Sequence, residues 1–472
     1  QAYAYSHLDF EKAAREYGKV GGFAHLATLV KKIRDQRPGA ILLDGGDSLQ
    51  GSATSLYTKG EDMVEALKLL GVNVMTGHWE FTLGEARIKE IVERDLKGKI
   101  DFVAHNVKED NSAVFKPYVM KEMNGIQIAI IGQAYPHTHL AHPRHFTKDF
   151  SFGIEEAALQ KLVAEVKKQG AQVVVLLSHN GMGIDLKLAS RVWGIDVILG
   201  GHTHDAIPAP QAVKRPDKAY TLVTNAGCCG KFLAVLDLNV KDGWVRGYQY
   251  KLLPVFSNLL PTDKVMEAHV KQTRLPYEIT LGEKLAITQT TLYRRGNFMG
   301  SFDQVILDAL LEVKDAEIAF SPGFRFGPTL LPGQAITLEH VMDMTAITYP
   351  ETEVKDLTGS EIKGVLEETC DHLFNPDPYL QHGSDMLRVG GMHYTCDPNK
   401  ALNNRVTNLT VNGKPMDASK KYKVASWGGT APAKGQPVWD VVAEYLKHKK
   451  VIPALKPSIP KVVGVEGNPG IA

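Results

Sequence analysis

Five residues in the first half of the chain are of types that bind borderline divalent metals. They are Asp47 in GGDSLQG, His78 in GHWEF, His179 in SHNG, and His202 with His204 in GGHTH. One carboxylate and four imidazoles suit zinc, manganese or iron better than the hard cations that prefer oxygen alone. A carboxylate bridging two such ions holds them ~3.5 to 4 Å apart, where a shared water is acidified for in-line attack on a tetrahedral anionic centre. The set therefore predicts a two-metal hydrolytic site. Two glycines precede Asp47 and two precede His202, which lets backbone pass a crowded centre without a Cβ. The His-x-His spacing, read as an extended segment, is expected to turn both rings to one side.

Each of these residues follows a short apolar run. GGFAHLATLVKKIRDQRPG sets Leu26, Leu29, Val30 and Ile33 at helical spacing and feeds a strand over 40–43 that delivers Asp47. EDMVEALKLLG feeds VNVMT and His78, EEAALQKLVAEVKKQG feeds QVVVLLS and His179, and LKLASRVWG feeds IDVILGG and His202. Helix and strand in alternation predict an α/β architecture. Open α/β sheets bind ligands past the carboxyl ends of their strands, so four deliveries should meet at one edge. Residues 1–258 are read as this metal-binding domain and 259–281, between Pro261 and Pro276, as a linker helix. Residues 282–472 are read as a second, smaller α+β domain. There Thr358 and Glu361 stand at capping-box spacing, and Asn412-Gly413 marks a hairpin. The Pro/Gly-rich tail is expected to lie irregularly on the surface.

Lys+Arg 54 against Asp+Glu 53 leaves a net charge of +1, with no basic excess for nucleic acid. No apolar run approaches the ~18 residues of a membrane span. Of four cysteines, none forms a C-x-x-C pair; Cys228-Cys229 reads as small buried thiols, and Cys370 with Cys396 could pair in an oxidising compartment. His137, His139, His142 and His145 crowd one loop, YPHTHLAHPRHF. No carboxylate accompanies them, and Pro136 and Pro143 suggest exposed irregular chain, so they are expected to be solvated at the mouth of the site. Arg325 and Arg388 could offer guanidinium forks to an anion.

The segments GKVGGFAHLATLVKKIR, LLDGGDSLQGS, FVAHNV, SHNG, GGHTHD and AGCCGKFLAVLDL resemble the binuclear metallophosphoesterases of the 5′-nucleotidase type. SPGFRFG resembles the arginine turn that faces substrate in that family's C-terminal domain. The resemblance implies a four-layer metallophosphoesterase sandwich followed by a 5′-nucleotidase C-terminal-like domain. Two departures stand out. The family's first-strand Asp-x-His motif is not found before Asp47, and Asp9 in HLDF is not on an apolar strand, so that strand is expected upstream of Gln1. GHWEF stands where nucleotidases carry Gly-Asn-His-Glu-Phe-Asp: the metal-binding Asn becomes His78, the catalytic His becomes Trp79, and its orienting Asp becomes Thr82.

The lost dyad is one that assists a poor alkoxide leaving group, so its absence points to a better leaving group. This substitution, together with GSDMLRVGGMHYTCDP, is similar to the SoxB thiosulfohydrolases of bacterial sulfur oxidation. That likeness implies release of sulfate from a cysteine S-thiosulfonate on a SoxYZ-like carrier by metal-hydroxide attack, in the periplasm, by a monomer. It further implies two divalent ions, manganese ahead of zinc or iron, held by Asp47, His78, His179, His202 and His204. Trp79 would wall the site, and Arg325 and Arg388 would contact the sulfonate. The alternatives are a 5′-nucleotidase or cyclic-nucleotide phosphodiesterase, which paired base-sandwiching aromatics in the second domain would favour, or a non-catalytic binding protein on the same scaffold.

Overall fold

A computed structural model describes residues 10–466; Asp9 and the end of the tail lie outside the described residues. The chain forms two compact units, one made of the stretches up to Gln50 and from Tyr57 to Leu275, the other of Pro276 onward together with Gly51–Leu56.

In the first unit six strands form one sheet, in the order Gln211–Lys214, Tyr220–Asn225, Val197–Gly200, Val173–Ser178, Ile126–Gln133, Tyr118–Met123. The inner four are parallel and the two edge strands antiparallel. Leu43–Asp44, Val74–Met75 and Asp101–Phe102 make a second, parallel sheet. The first of these is shorter than the apolar run over 40–43 suggests. Its pairing is anchored by Leu42, which bonds Asn73 with its N–H to the side chain and its carbonyl to the backbone N–H, and by the Asp44 carbonyl, which accepts from Thr76 N–H.

Alternate residues of a strand face opposite ways, so Ile130, Val175, Leu177 and Val197 on one sheet meet Leu43 and Val74 of the other in a shared core. The intervening Ala129, Ile131, Val174, Leu176 and Ile198 are equally buried, because the helices Glu156–Lys168 and Met182–Ala189 pack against the six-stranded sheet. The helices Phe23–Gln36, Glu61–Leu70 and Lys264–Arg274 enclose a further core around Leu26, Leu67, Phe81 and Met266. Helix, sheet, sheet and helix thus form a four-layer sandwich. The helix expected over LKLASRVWG begins earlier, at Met182: Gly181, at φ 95°, turns the chain directly out of the His179 strand into it. All four deliveries leave strands that run parallel within their sheets, which brings their carboxyl ends to a common edge.

The second unit holds three small sheets. Thr358 and Glu361 form the expected reciprocal cap of Gly359–Phe374. Asn412 and Gly413, at φ 50° and 73°, turn the hairpin between Val406–Val411 and Lys414–Pro415. The tail is less irregular than its composition suggests, since Lys461–Val462 pairs with Met392–Cys396. Cys370 and Cys396 are buried free thiols with their sulfurs 3.4 Å apart. Among the described residues no helix is long and apolar enough to cross a membrane.

A buried ionic knot organises this unit. Asp303, in the first turn of the helix Ser301–Val313, accepts from Arg294 Nε at 2.8 Å and Arg388 Nε at 3.2 Å, and all three side chains are fully buried. Each guanidinium is completed by carbonyls and by the rings of Phe324, Phe326 and Trp427 around Arg294. Removing one member of a buried ion pair leaves an uncompensated charge that costs about 3 to 5 kcal/mol. Asp303→Asn is expected to lower unfolding free energy by that amount in urea denaturation; an unchanged midpoint would show that the guanidiniums do not depend on this charge.

Candidate metal centre

Donor atoms of Asp47, His78, His179 and His202 all lie within 4.8 Å of one another. His179 Nε2 is 3.0 Å from Asp47 Oδ2, and His78 Nδ1 is 3.1 Å from Asp47 Oδ1 and 3.3 Å from His179 Nε2. Four ligands at ~2.1 Å from a tetrahedral ion would stand ~3.4 Å apart, so the spacing fits a small divalent cation. The three histidines are almost wholly buried, and a divalent cation would satisfy the lone pairs they turn toward Asp47 and one another away from water. His204 stands outside this group, its Nε2 3.8 Å from Asp47 Oδ2. Among the described residues no second cluster of three donors completes a partner site around it.

The loops reach this arrangement through backbone that few side chains adopt. Asp47, His202 and His204 have φ of 65°, 68° and 58°, in the left-handed region that is costly outside glycine and gathers at functional sites. The His-x-His segment is therefore not extended, and its rings are aimed by two left-handed residues. A Cβ on Gly46 would stand 3.0 Å from His179 Nδ1, and one on Gly201 would stand 3.1 Å from the same atom; the glycines make room for that ring.

Two further contacts fix the ligands. His179 Nδ1 sits 2.5 Å from the Gly45 carbonyl, so Nδ1–H donates there and Nε2 keeps its lone pair for the centre. Glu80, fully buried, accepts backbone N–H groups of Ser48 and His78 at 2.7 Å and of Asp47 at 3.2 Å, clamping two ligand loops together. Glu80 belongs to no metal-ligand pattern in the sequence; its one signal there is a carboxylate set between Trp79 and Phe81, which on burial must find donors. Tyr135, also outside that pattern, stacks on His202 at 4.1 Å and leans on His78 at 4.2 Å. FVAHNV holds that segment in place: Asn106 bonds both N–H and C=O of Ala134.

The electrostatics follow from burial and neighbours. Burial would raise the Asp47 pKa, but His179 and His78 outweigh it and hold the carboxyl well below its usual value. Burial would lower that of His179, and Asp47 outweighs it in the other direction. Burial drives His78 down to about 4 and raises Glu80, the latter with help from Asp47.

The remaining expected residues separate. Trp79 donates its backbone N–H to Asp47 Oδ1 at 3.0 Å and turns its ring edge-on to His142 at 5.3 Å. Thr82 donates its hydroxyl to the Trp79 carbonyl. Of the loop histidines, His139 and His145 are exposed as expected. His142 is not: it is buried, with Nε2 2.9 Å from His78 Nε2. Cys229 is exposed rather than buried. Arg388 does not present a fork to an anion, because all five of its N–H groups bond within the second unit, to Asp303, Asp385 and the carbonyls of Gly296, Asn297 and Met386. Arg325 is one-tenth exposed, and it bonds the Gly383 carbonyl and the other oxygen of Asp385.

Two outcomes are expected. Asp47→Ala, which deletes the carboxylate that three imidazoles share, should lower bound metal measured by plasma mass spectrometry; unchanged stoichiometry would remove Asp47 from the centre. The second concerns pH. His105, 2.5 Å from Gln133 Oε1 and buried, is pushed by burial from 6.5 down to about 4. The unfolded ring takes up a proton that the folded one refuses, so its contribution is intact above ~6.5 and is lost as pH falls through that window. Metal-free protein should lose unfolding free energy from about pH 6.5 to 4.5 with a steeper slope than His105→Gln; equal slopes would contradict this.

Four converging donors at the edge of a four-layer sandwich define a metal-dependent hydrolase of the metallophosphoesterase class. Residues 7–206 match the calcineurin-like phosphoesterase family model, and residues 283–444 match the 5′-nucleotidase C-terminal domain. The chain is 36% identical to the Thermus thermophilus sulfate thiohydrolase SoxB, solved in complex with glycerol, with a TM-score of 0.92 over 97% of this chain and 86% of that one. A 5′-nucleotidase precursor, also from Thermus thermophilus, shares the fold, with TM-score 0.82 and 23% identity over 94% of each chain. Mouse 5′-nucleotidase is 25% identical over 86% of this chain and 76% of its own length. The chain belongs to the SoxB family, relatives of the 5′-nucleotidases.

Proposed function

We propose that this chain releases sulfate from a cysteine S-thiosulfonate carried by a SoxYZ-like protein in the periplasm, using manganese. The observation that carries this reading is the place of the missing dyad. Where a nucleotidase sets an imidazole and its orienting carboxylate, this chain sets an indole and a threonine whose hydroxyl is occupied by the Trp79 carbonyl at 2.8 Å. No proton donor is offered from position 79 or 82 to a departing alkoxide. A sulfur leaving group, by contrast, carries its own negative charge as the sulfur–sulfur bond breaks.

Asp47, His78, His179, His202 and His204 would hold the divalent metal, which when bound supplies Lewis acidity and an activated water. Glu80 and the Gly45 carbonyl keep those ligands aimed. Arg325, backed by Asp385, is the guanidinium assigned to the sulfonate. Arg388 supports it from the other oxygen of the same carboxylate.

Trp79→His combined with Thr82→Asp should raise nucleotide hydrolysis at least tenfold from a low base, toward the ~100 to 1000-fold that one transition-state donor is worth. It should leave sulfate release from a thiosulfonate-loaded carrier no faster. Efficient nucleotide turnover by the unaltered, metal-loaded protein, with the loaded carrier left intact, would overturn the proposal in favour of a nucleotidase.

A further inference from the structure

His142 closes the short helix Thr138–Ala141, and its own N–H bonds the Thr138 carbonyl at 3.2 Å. Its ring points inward. Nε2 lies 2.9 Å from Nε2 of His78, the rings are 4.8 Å apart, and the edge of Trp79 closes the other side.

The chemistry of His78 explains why something must stand there. Nδ1 of His78 faces Asp47 and His179, so it is the nitrogen whose lone pair serves the centre. A neutral imidazole that gives the lone pair of Nδ1 carries its proton on Nε2. Nδ1 occupies the branch point at which an asparagine would present its amide oxygen, and the remainder of the ring carries Nε2 deeper into the protein. At 2% exposure of the side chain, that N–H has no route to water, and an unpaired buried donor costs about 1 to 3 kcal/mol.

We propose that His142 is a positioning residue of the metal centre: its Nε2 accepts the His78 Nε2–H and thereby fixes the tautomer and ring plane in which His78 Nδ1 binds metal. His142 then holds its own proton on Nδ1. This inference rests on the metal-centre reading above and adds a residue to it. The hydrogen bond has a further consequence, because a ligand imidazole that donates its distal N–H becomes a better electron-pair donor; removing such a partner costs typically ~10 to 100-fold in metal affinity.

The test compares two variants of the full chain by calorimetric titration of Mn²⁺ into metal-free protein, with circular dichroism melts of the metal-free forms as a control on folding. His142→Phe keeps the bulk and the ring but removes the acceptor, and should weaken Mn²⁺ binding ~10 to 100-fold at unchanged stoichiometry. His142→Gln, whose Oε1 can accept at about the same reach, should stay within about threefold of the parent. Parent-like affinity in His142→Phe would overturn the proposal. So would loss of a whole equivalent of metal at saturation, which would make His142 a ligand, and so would equal weakening of both variants, which would reduce its role to packing. Failure of the unaltered protein to bind Mn²⁺ would instead remove the centre itself.

Discussion

Everything in the first unit answers to one constraint: a single carboxylate, Asp47, faced by buried imidazole lone pairs in a space shielded from solvent. His78 and His179 approach its two oxygens at 3.1 and 3.0 Å, and His202 completes the group. Without a metal ion, protons on the imidazoles must stand in for it, as the raised His179 pKa beside Asp47 reflects. With one the group is a ligand sphere, and the surrounding structure serves to keep it from relaxing. The left-handed backbone at Asp47, His202 and His204 is strain that a tight scaffold can impose and a free loop would release. Glu80 is what makes the scaffold tight, because one carboxylate gathers N–H groups from both the Asp47 and the His78 loops.

The same physics governs the second unit with the sign of charge reversed. Two guanidiniums are buried around Asp303, and their remaining donors are met by carbonyls. Low dielectric surroundings make a satisfied network rigid and a broken one expensive. Arg388 is thereby fixed as part of the frame, and through Asp385 it meets Arg325.

The chemistry assigned to the centre turns on what was taken away from a nucleotidase pattern. An indole in place of an imidazole cannot donate a proton to an alkoxide, but it can bound a site and pack against a buried ring, as Trp79 does against His142. The change from asparagine to His78 and the presence of His142 behind it are physically linked. A longer ligand brings a second nitrogen, and that nitrogen must be bonded.

The sequence by itself determined the alternation of helix and strand and pointed to four residues, Asp47, His78, His179 and His202, whose donor atoms meet; it placed His204 with them, and the structure sets His204 outside the group. Helical spacing in Leu26, Leu29, Val30 and Ile33 and the apolar runs before Asp47, His78, His179 and His202 encode alternating layers, and strand ends in such layers share an edge. Local signals of this kind, with the Thr358 cap and the Asn412-Gly413 turn, depend only on neighbours a few residues apart, which is why they are legible. Only the tertiary structure decided the rest. His142 and His145 are chemically alike and three residues apart, yet one is buried against His78 while the other is exposed. Arg325 and Arg388 are likewise indistinguishable as letters, and burial against Asp303 separates them. Partners of this kind are tens of residues distant in the chain, and what a polar side chain does is set by the donors, acceptors and water it meets there.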